Sequence, residues 1–213
     1  MPHSGTWASV AALRAELIDQ LDELPDDAWD GPSLCPGWRV RDVVAHTILP
    51  ERLSLVGGVV GLARAGFSLR RFLHLDAIRR GSAPLEELVA SFREAIDRQV
   101  PPPGRTPQHL LDDLYVHASD IRRPLGLTAP SGSVSYDPAV LTGIAEAVAV
   151  DDGLGVPARI EGLALIATDI PWTHGDGATV SGPIEALILA MTGRTVVHPE
   201  LSGDGLALLA ERR

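Results

Sequence analysis

The stretch TPQHLLDDLYVHASDIRR, residues 106–123, decides how the chain is read. Thr106 is a good N-cap, Pro107 suits the first helical position, and Pro124 with Gly126 stops the pattern, so one helix is predicted from Pro107 to Arg123. Within it Asp113 and His117 stand four apart and share a face, with His109 one turn earlier. Towards the N-terminus, Val10, Leu13, Leu17, Leu21 and Leu24 recur at three and four, predicting an amphipathic helix over Thr6 to Leu24 that Pro25 ends. Trp38 to Leu49 reads the same way, with Val40, Val43, Val44 and Ile48 inward. Pro50 falls inside this pattern and, lacking an N–H, robs the His46 carbonyl of its helical partner, so a kink is predicted there. A helix over Glu51 to Ala65, resuming after Gly66 to about Arg80, and another over Pro84 to Val100 complete the set before the break at Pro101-Pro-Pro-Gly104. The expected first domain, residues 1–129, is a helical bundle crossed by the 106–123 helix.

Beyond it the chain changes character. Pro130-Ser-Gly-Ser133 reads as a linker, Pro138 to Val150 as a helix, and IEGLALIATDI, residues 160–170, as a strand. Ala178 to Val180 suits a short paired strand, Pro183 to Thr192 an apolar helix, and Leu206 to Arg213 a last helix after Gly203-Asp-Gly205. Residues 130–213 are therefore expected to form a small α/β domain.

Composition narrows the function classes. The 213 residues carry a formal charge of −10, and all 18 basic residues are Arg. Paired arginines are scattered among acidic residues, so neither nucleic acid nor a membrane is an expected partner. No apolar run is long enough to span a bilayer and the start, Met1 to Gly5, lacks a signal-peptide pattern, so a cytoplasmic location is expected. A single cysteine, Cys35, excludes an internal disulfide and a four-cysteine zinc site. Its glycine pairs form no phosphate loop with a following Lys.

Two readings of the Asp113/His117 pair stand side by side: a surface ion pair, or two ligands of one metal. His46, at the edge of the apolar stripe beside Val43, either bonds Asp42 four residues earlier or supplies a third ligand, with Asp42 then fixing its tautomer. Two His and one carboxylate leave a coordination position open, as catalytic sites require. His109 lies on the same stripe as Asp113 and His117 but in the first turn, and ranks below His46. His3, His74 and His198 have no partner at useful spacing and read as surface residues. Cys35, just before a helix, is read either as a nucleophile or as a packed small residue. Trp38 and Trp172 are read either as packing anchors or as pocket-lining residues, with Trp38 the one placed at the cofactor.

These residues resemble a known family. CPGWRVRDVVAH (residues 35–46), HASDIRRPLG (117–126), TDIPW (168–172) and VSGPIEALILAMTGR (180–194) are similar to the mycothiol-dependent maleylpyruvate isomerase family of the DinB superfamily. The resemblance implies a DinB-like four-helix bundle holding a divalent metal, followed by a small α/β domain. It places the ligands at His46, Asp113 and His117, with Zn²⁺ first and Ni²⁺, Fe²⁺ or Mn²⁺ as alternatives. The family usually has Glu where Asp113 stands, and the shorter side chain either draws the metal towards its helix or lowers its affinity. Mycothiol, the low-molecular-weight thiol of actinobacteria, is implied as cosubstrate, its thiolate favoured by the cation. Isomerisation or S-transfer on a small electrophile follows from the resemblance, and Arg194 is the candidate catalytic cation for a substrate carboxylate. The alternatives are a non-catalytic metal-binding or stress-response module and a metal-dependent hydrolase.

Overall fold

The computed structural model describes residues 4–212, which fall into two compact units, one ending at Ser133 and the other beginning at Val134. His3 and the first residues, on which the leader expectation rests, lie outside the described residues.

The first unit is helical. Its helices are α1 (Ser4–Asp22), α2 (Val40–Thr47), α3 (Leu49–Arg52), α4 (Leu55–Arg64), α5 (Leu69–Gly81), α6 (Leu85–Ala95) and α7 (Pro107–Arg122). Four of them make the bundle: α1 and α2 each pack against both α6 and α7. The apolar stripe of α1 is buried as its spacing predicts, with Val10, Leu13, Leu17 and Leu21 at the core. Helix α7 starts at Thr106 with Pro107 in its first turn, and nearly all its side chains from Leu110 onwards are buried, Asp113 being the exception.

The Pro50 region departs from expectation. Instead of kinking, the helix ends at Thr47; the Ile48 N–H turns back to the His46 carbonyl, and α3 starts anew with Pro50 in its first turn. Ser54 then caps α4 by accepting from the Gly57 N–H, so the predicted helix over Glu51 to Ala65 is also divided. Helix α5 lies close along α2. At their crossing a Cβ on Gly81 would sit 2.2 Å from Asp42 Oδ1, so only glycine allows this approach. The last helix before the proline run stops at Ala95, short of Val100.

In the second unit α8 (Pro138–Ala149) is capped by Asp137, and α9 (Val156–Ile160) precedes β1 (Leu163–Ala167). The strand expected over 160–170 is therefore shorter: Ile160 ends a helix, and Gly162, at φ +70°, turns the chain into the strand. Strand β2 (Thr173–His174), not foreseen, pairs antiparallel with β1, and β3 (Ala178–Gly182) pairs parallel on its other side. Helices α10 (Ile184–Met191) and α11 (Leu206–Glu211) follow. Every residue of α10 except Glu185 is buried, as its uniformly apolar sequence demands.

Candidate metal centre

Two helices and one loop build the site in the first unit. Helix α2 presents His46 in its last turn, one residue before it ends at Thr47. Helix α7 presents Asp113 and His117 on one face, as the four-residue spacing predicts. Their donor atoms meet: His46 Nε2 lies 3.9 Å from Asp113 Oδ2, and His117 Nε2 lies 3.5 Å from Asp113 Oδ1. The three groups each offer one ligand atom within 4.8 Å of the others. The imidazole rings stand edge to face at 5.0 Å. Both are nearly buried, whereas the Asp113 side chain is 45% exposed and opens the cluster to solvent.

The loop between Gly31 and Trp38 closes the inner side. It is pinned to α7 by the Leu34 N–H on the Asp120 carbonyl, 3.0 Å, and folded on itself through Ser33, whose hydroxyl donates to the Trp38 carbonyl and accepts from the Cys35 N–H. This places Cys35 under His117. Asp120 Oδ2 accepts from His117 Nδ1 at 2.9 Å and from the Cys35 thiol at 3.1 Å, and Cys35 Sγ stands 3.5 Å from the same Nδ1. Asp120 thus fixes the ring that carries the Nε2 donor. The loop also sets Trp38 against the site, its ring 5.0 Å from His46 and 6.2 Å from His117.

The two histidines differ in their electrostatics. Burial pushes His46 down to about 4, with Asp113 pulling the other way and His117 reinforcing the fall. Its Nδ1 is buried without a hydrogen-bond partner. His117 is buried more deeply, which alone would lower its pKa, but Asp113, Asp120 and Cys35 together raise it well above the usual imidazole value. It is held as the cation between two carboxylates.

The partners expected for Asp42 and His74 are corrected, and the other residues chosen from the sequence are placed. Asp42 does not touch His46: it accepts from the Arg39 N–H, Nε and Nη2, all within 3.0 Å, at the start of α2. One turn of helix places it on α5 rather than on the metal cluster. His74 is not a free surface residue; it is half-buried, stacked on Trp38 and accepts from its Nε1 at 2.8 Å. His109 Nδ1 is engaged with the Thr106 hydroxyl at 2.8 Å, at the N-cap of α7. His198 is half-buried in a turn of the second unit, Thr195–Glu200. Trp172 also belongs to that unit, where it is buried and donates to Glu146. Arg194 lies there too, and its Nη1 donates to the Thr192 carbonyl just beyond α10, the position of a helix-end arginine. Asp120 went unrecognised in the sequence although its offset of three from His117 puts both on one face. The Cys35 contact bridges 82 positions and has no local signal.

Residues 10–101 match the family described as the mycothiol maleylpyruvate isomerase N-terminal domain. The matched stretch lies within the first unit and spans less than half of the chain. The match includes Cys35, Trp38 and His46 and ends before α7, so Asp113 and His117 are brought to His46 by geometry alone. Two solved structures of a mycothiol-dependent maleylpyruvate isomerase share the fold. One, with a histidine replaced by alanine, has a TM-score of 0.65 at 14% identity. The other has a TM-score of 0.62 at 15% identity, and both alignments cover 96% of this chain and 93% of theirs. No curated protein sequence matches the chain significantly.

Proposed function

We propose that the first unit binds a divalent cation through His46, Asp113 and His117, and that the chain is a thiol-dependent isomerase or S-transferase acting on a small electrophile, with mycothiol as the thiol. The observation that carries this reading is the convergence of two imidazole nitrogens and one carboxylate in a domain of this family. The donor set suits a divalent transition metal, with Zn²⁺ first, because it mixes two nitrogen ligands with one oxygen and leaves positions open. A cation there stabilises thiolate over thiol and so supplies a nucleophile at neutral pH.

The chain's own groups prepare for this. His46 stays neutral because burial holds its pKa at about 4, so its lone pair is available. His117 keeps a proton on Nδ1 for Asp120, which directs Nε2 towards Asp113, and it must surrender the other proton when a metal binds. Trp38, tied to His74, walls one side and restricts water there. The exposed edge of Asp113 is the side from which thiol and electrophile approach.

Both of the similar solved structures are named for maleylpyruvate, which makes that cis-configured acid the first substrate to try. Purified protein reloaded with Zn²⁺ is expected to isomerise it only when mycothiol is present, and His117→Ala to abolish the activity. Substrate turnover that needs no thiol would contradict this reading and favour a hydrolase using the same centre.

A further inference from the structure

The hairpin of α4 and α5 is built the wrong way round for an ordinary surface element. Helix α4, LVGGVVGLAR, buries no residue; its half-buried positions are Gly58, Gly61 and Leu62, while Leu55, Val56, Val59 and Val60 point outward on the opposite face. Glycine is needed at position 61, since a Cβ on Gly61 would lie 2.3 Å from the Phe72 ring of α5. The apolar face is therefore presented to the outside while the glycine face packs. At the turn, Phe67 is 80% exposed and takes a left-handed backbone, φ 61°, the sole non-glycine residue to do so among the described residues. A bulky aromatic held exposed in that conformation is uncommon. Leu69 extends the same surface at 61% exposure.

Charge is segregated here as well. In a chain of net charge −10, residues 53–75 contain Arg64, Arg70 and Arg71 and no acidic residue. All three arginines are exposed. The nearest following acid, Asp76, is taken by Arg79 and Arg80. A symmetric contact with a second copy would set these arginines against one another, so like charge disfavours that occupant. An anionic surface complements them.

We propose that the α4–α5 hairpin docks onto an anionic lipid bilayer. Leu55, Val59, Phe67 and Leu69 enter the boundary between headgroups and acyl chains, and Arg64, Arg70 and Arg71 meet lipid phosphates. The hairpin lies in the interface and does not cross it; no helix among the described residues is long and apolar enough to span a membrane. This revises the expectation that a membrane is not a partner, and it is independent of the metal centre.

The test is cosedimentation of the whole protein with vesicles of phosphatidylcholine alone and of phosphatidylcholine with phosphatidylglycerol in equal parts. Binding is expected to the mixed vesicles only, weakening as salt rises. Replacing Arg64, Arg70 and Arg71 together by Gln should lower the partition coefficient about a hundredfold, and Leu55→Ser with Phe67→Ser should abolish binding while leaving the thermal midpoint in place. Wild-type protein that stays in the supernatant overturns the proposal, as does equal binding to both vesicle types or a triple Arg variant that sediments like wild type. A dimer in sedimentation velocity that Leu55→Ser dissociates, in protein that ignores vesicles, would assign the patch to a second copy instead.

Discussion

The two units spend burial differently. In the second, the buried set is almost wholly apolar, and among its described residues Ser135 is the sole buried polar side chain. In the first, Arg14, Asp42, Asp76, Asp112, His117, Asp120 and Arg122 are all buried. Sequestering charge is costly unless each group is paired, so a unit that carries so many has been shaped by something other than stability. The second unit behaves as a packed scaffold. The first carries the candidate metal centre.

The largest expected effect lies at Arg14 and Glu51, an ion pair at 2.6 Å with both side chains fully buried. Arg14 also donates to the Ala95 carbonyl at 2.6 Å. Glu51→Ala leaves a buried guanidinium without its carboxylate and should cost about 3–5 kcal/mol in denaturant unfolding. A loss below about 1 kcal/mol would mean that the first unit tolerates unpaired charge and would blunt the contrast. In the second unit the sensitive change is a cavity: Leu187→Ala, at a fully buried position of α10, should cost about 2–5 kcal/mol and leave metal content untouched. Metal lost in that variant would show that the division of labour between the units is wrong.

Smaller effects sharpen the site itself. Asp120→Asn keeps an acceptor for His117 but removes its charge, and should weaken metal binding about 10–100-fold in competition titrations, with little change in the far-ultraviolet spectrum. Protonation gives a signed test. Because the pKa of His117 in the folded protein is raised, its contribution to metal-free stability is present below the unfolded imidazole value and is lost as pH rises through the raised one. His46 works in the opposite sense, its contribution falling away from about 6.5 down to about 4. Metal-free His117→Gln should therefore lose the alkaline decline expected of wild type, and metal affinity in wild type should rise with pH as the His117 proton is released.

Much of this was legible in the chain itself. The spacing of Val10, Leu13, Leu17 and Leu21, the Thr106-Pro107 start and the face shared by Asp113 and His117 follow from helical periodicity, which needs no knowledge of the rest of the molecule. What could not be read depends on packing. The four-residue spacing offers the Asp42 carboxylate to His46, yet Arg39 takes it at the helix start. His74 looked solitary because its partner, Trp38, lies 36 residues away. Cys35 reaches His117 and Asp120 only through a loop whose docking on α7 no local pattern announces. The proline at position 50 signalled a disturbance correctly, but whether the helix bends or ends there depends on what the freed chain packs against.

The most direct measurement is metal content by elemental mass spectrometry on protein purified without chelator, for wild type and for His46→Ala, Asp113→Ala and His117→Ala. A centre formed by these three residues gives about one divalent metal per chain in wild type, lost or sharply reduced in each variant. Wild type that holds no metal, even after reloading with Zn²⁺ or Ni²⁺, would contradict it and leave His117, Asp113 and Asp120 as an ion network and nothing more.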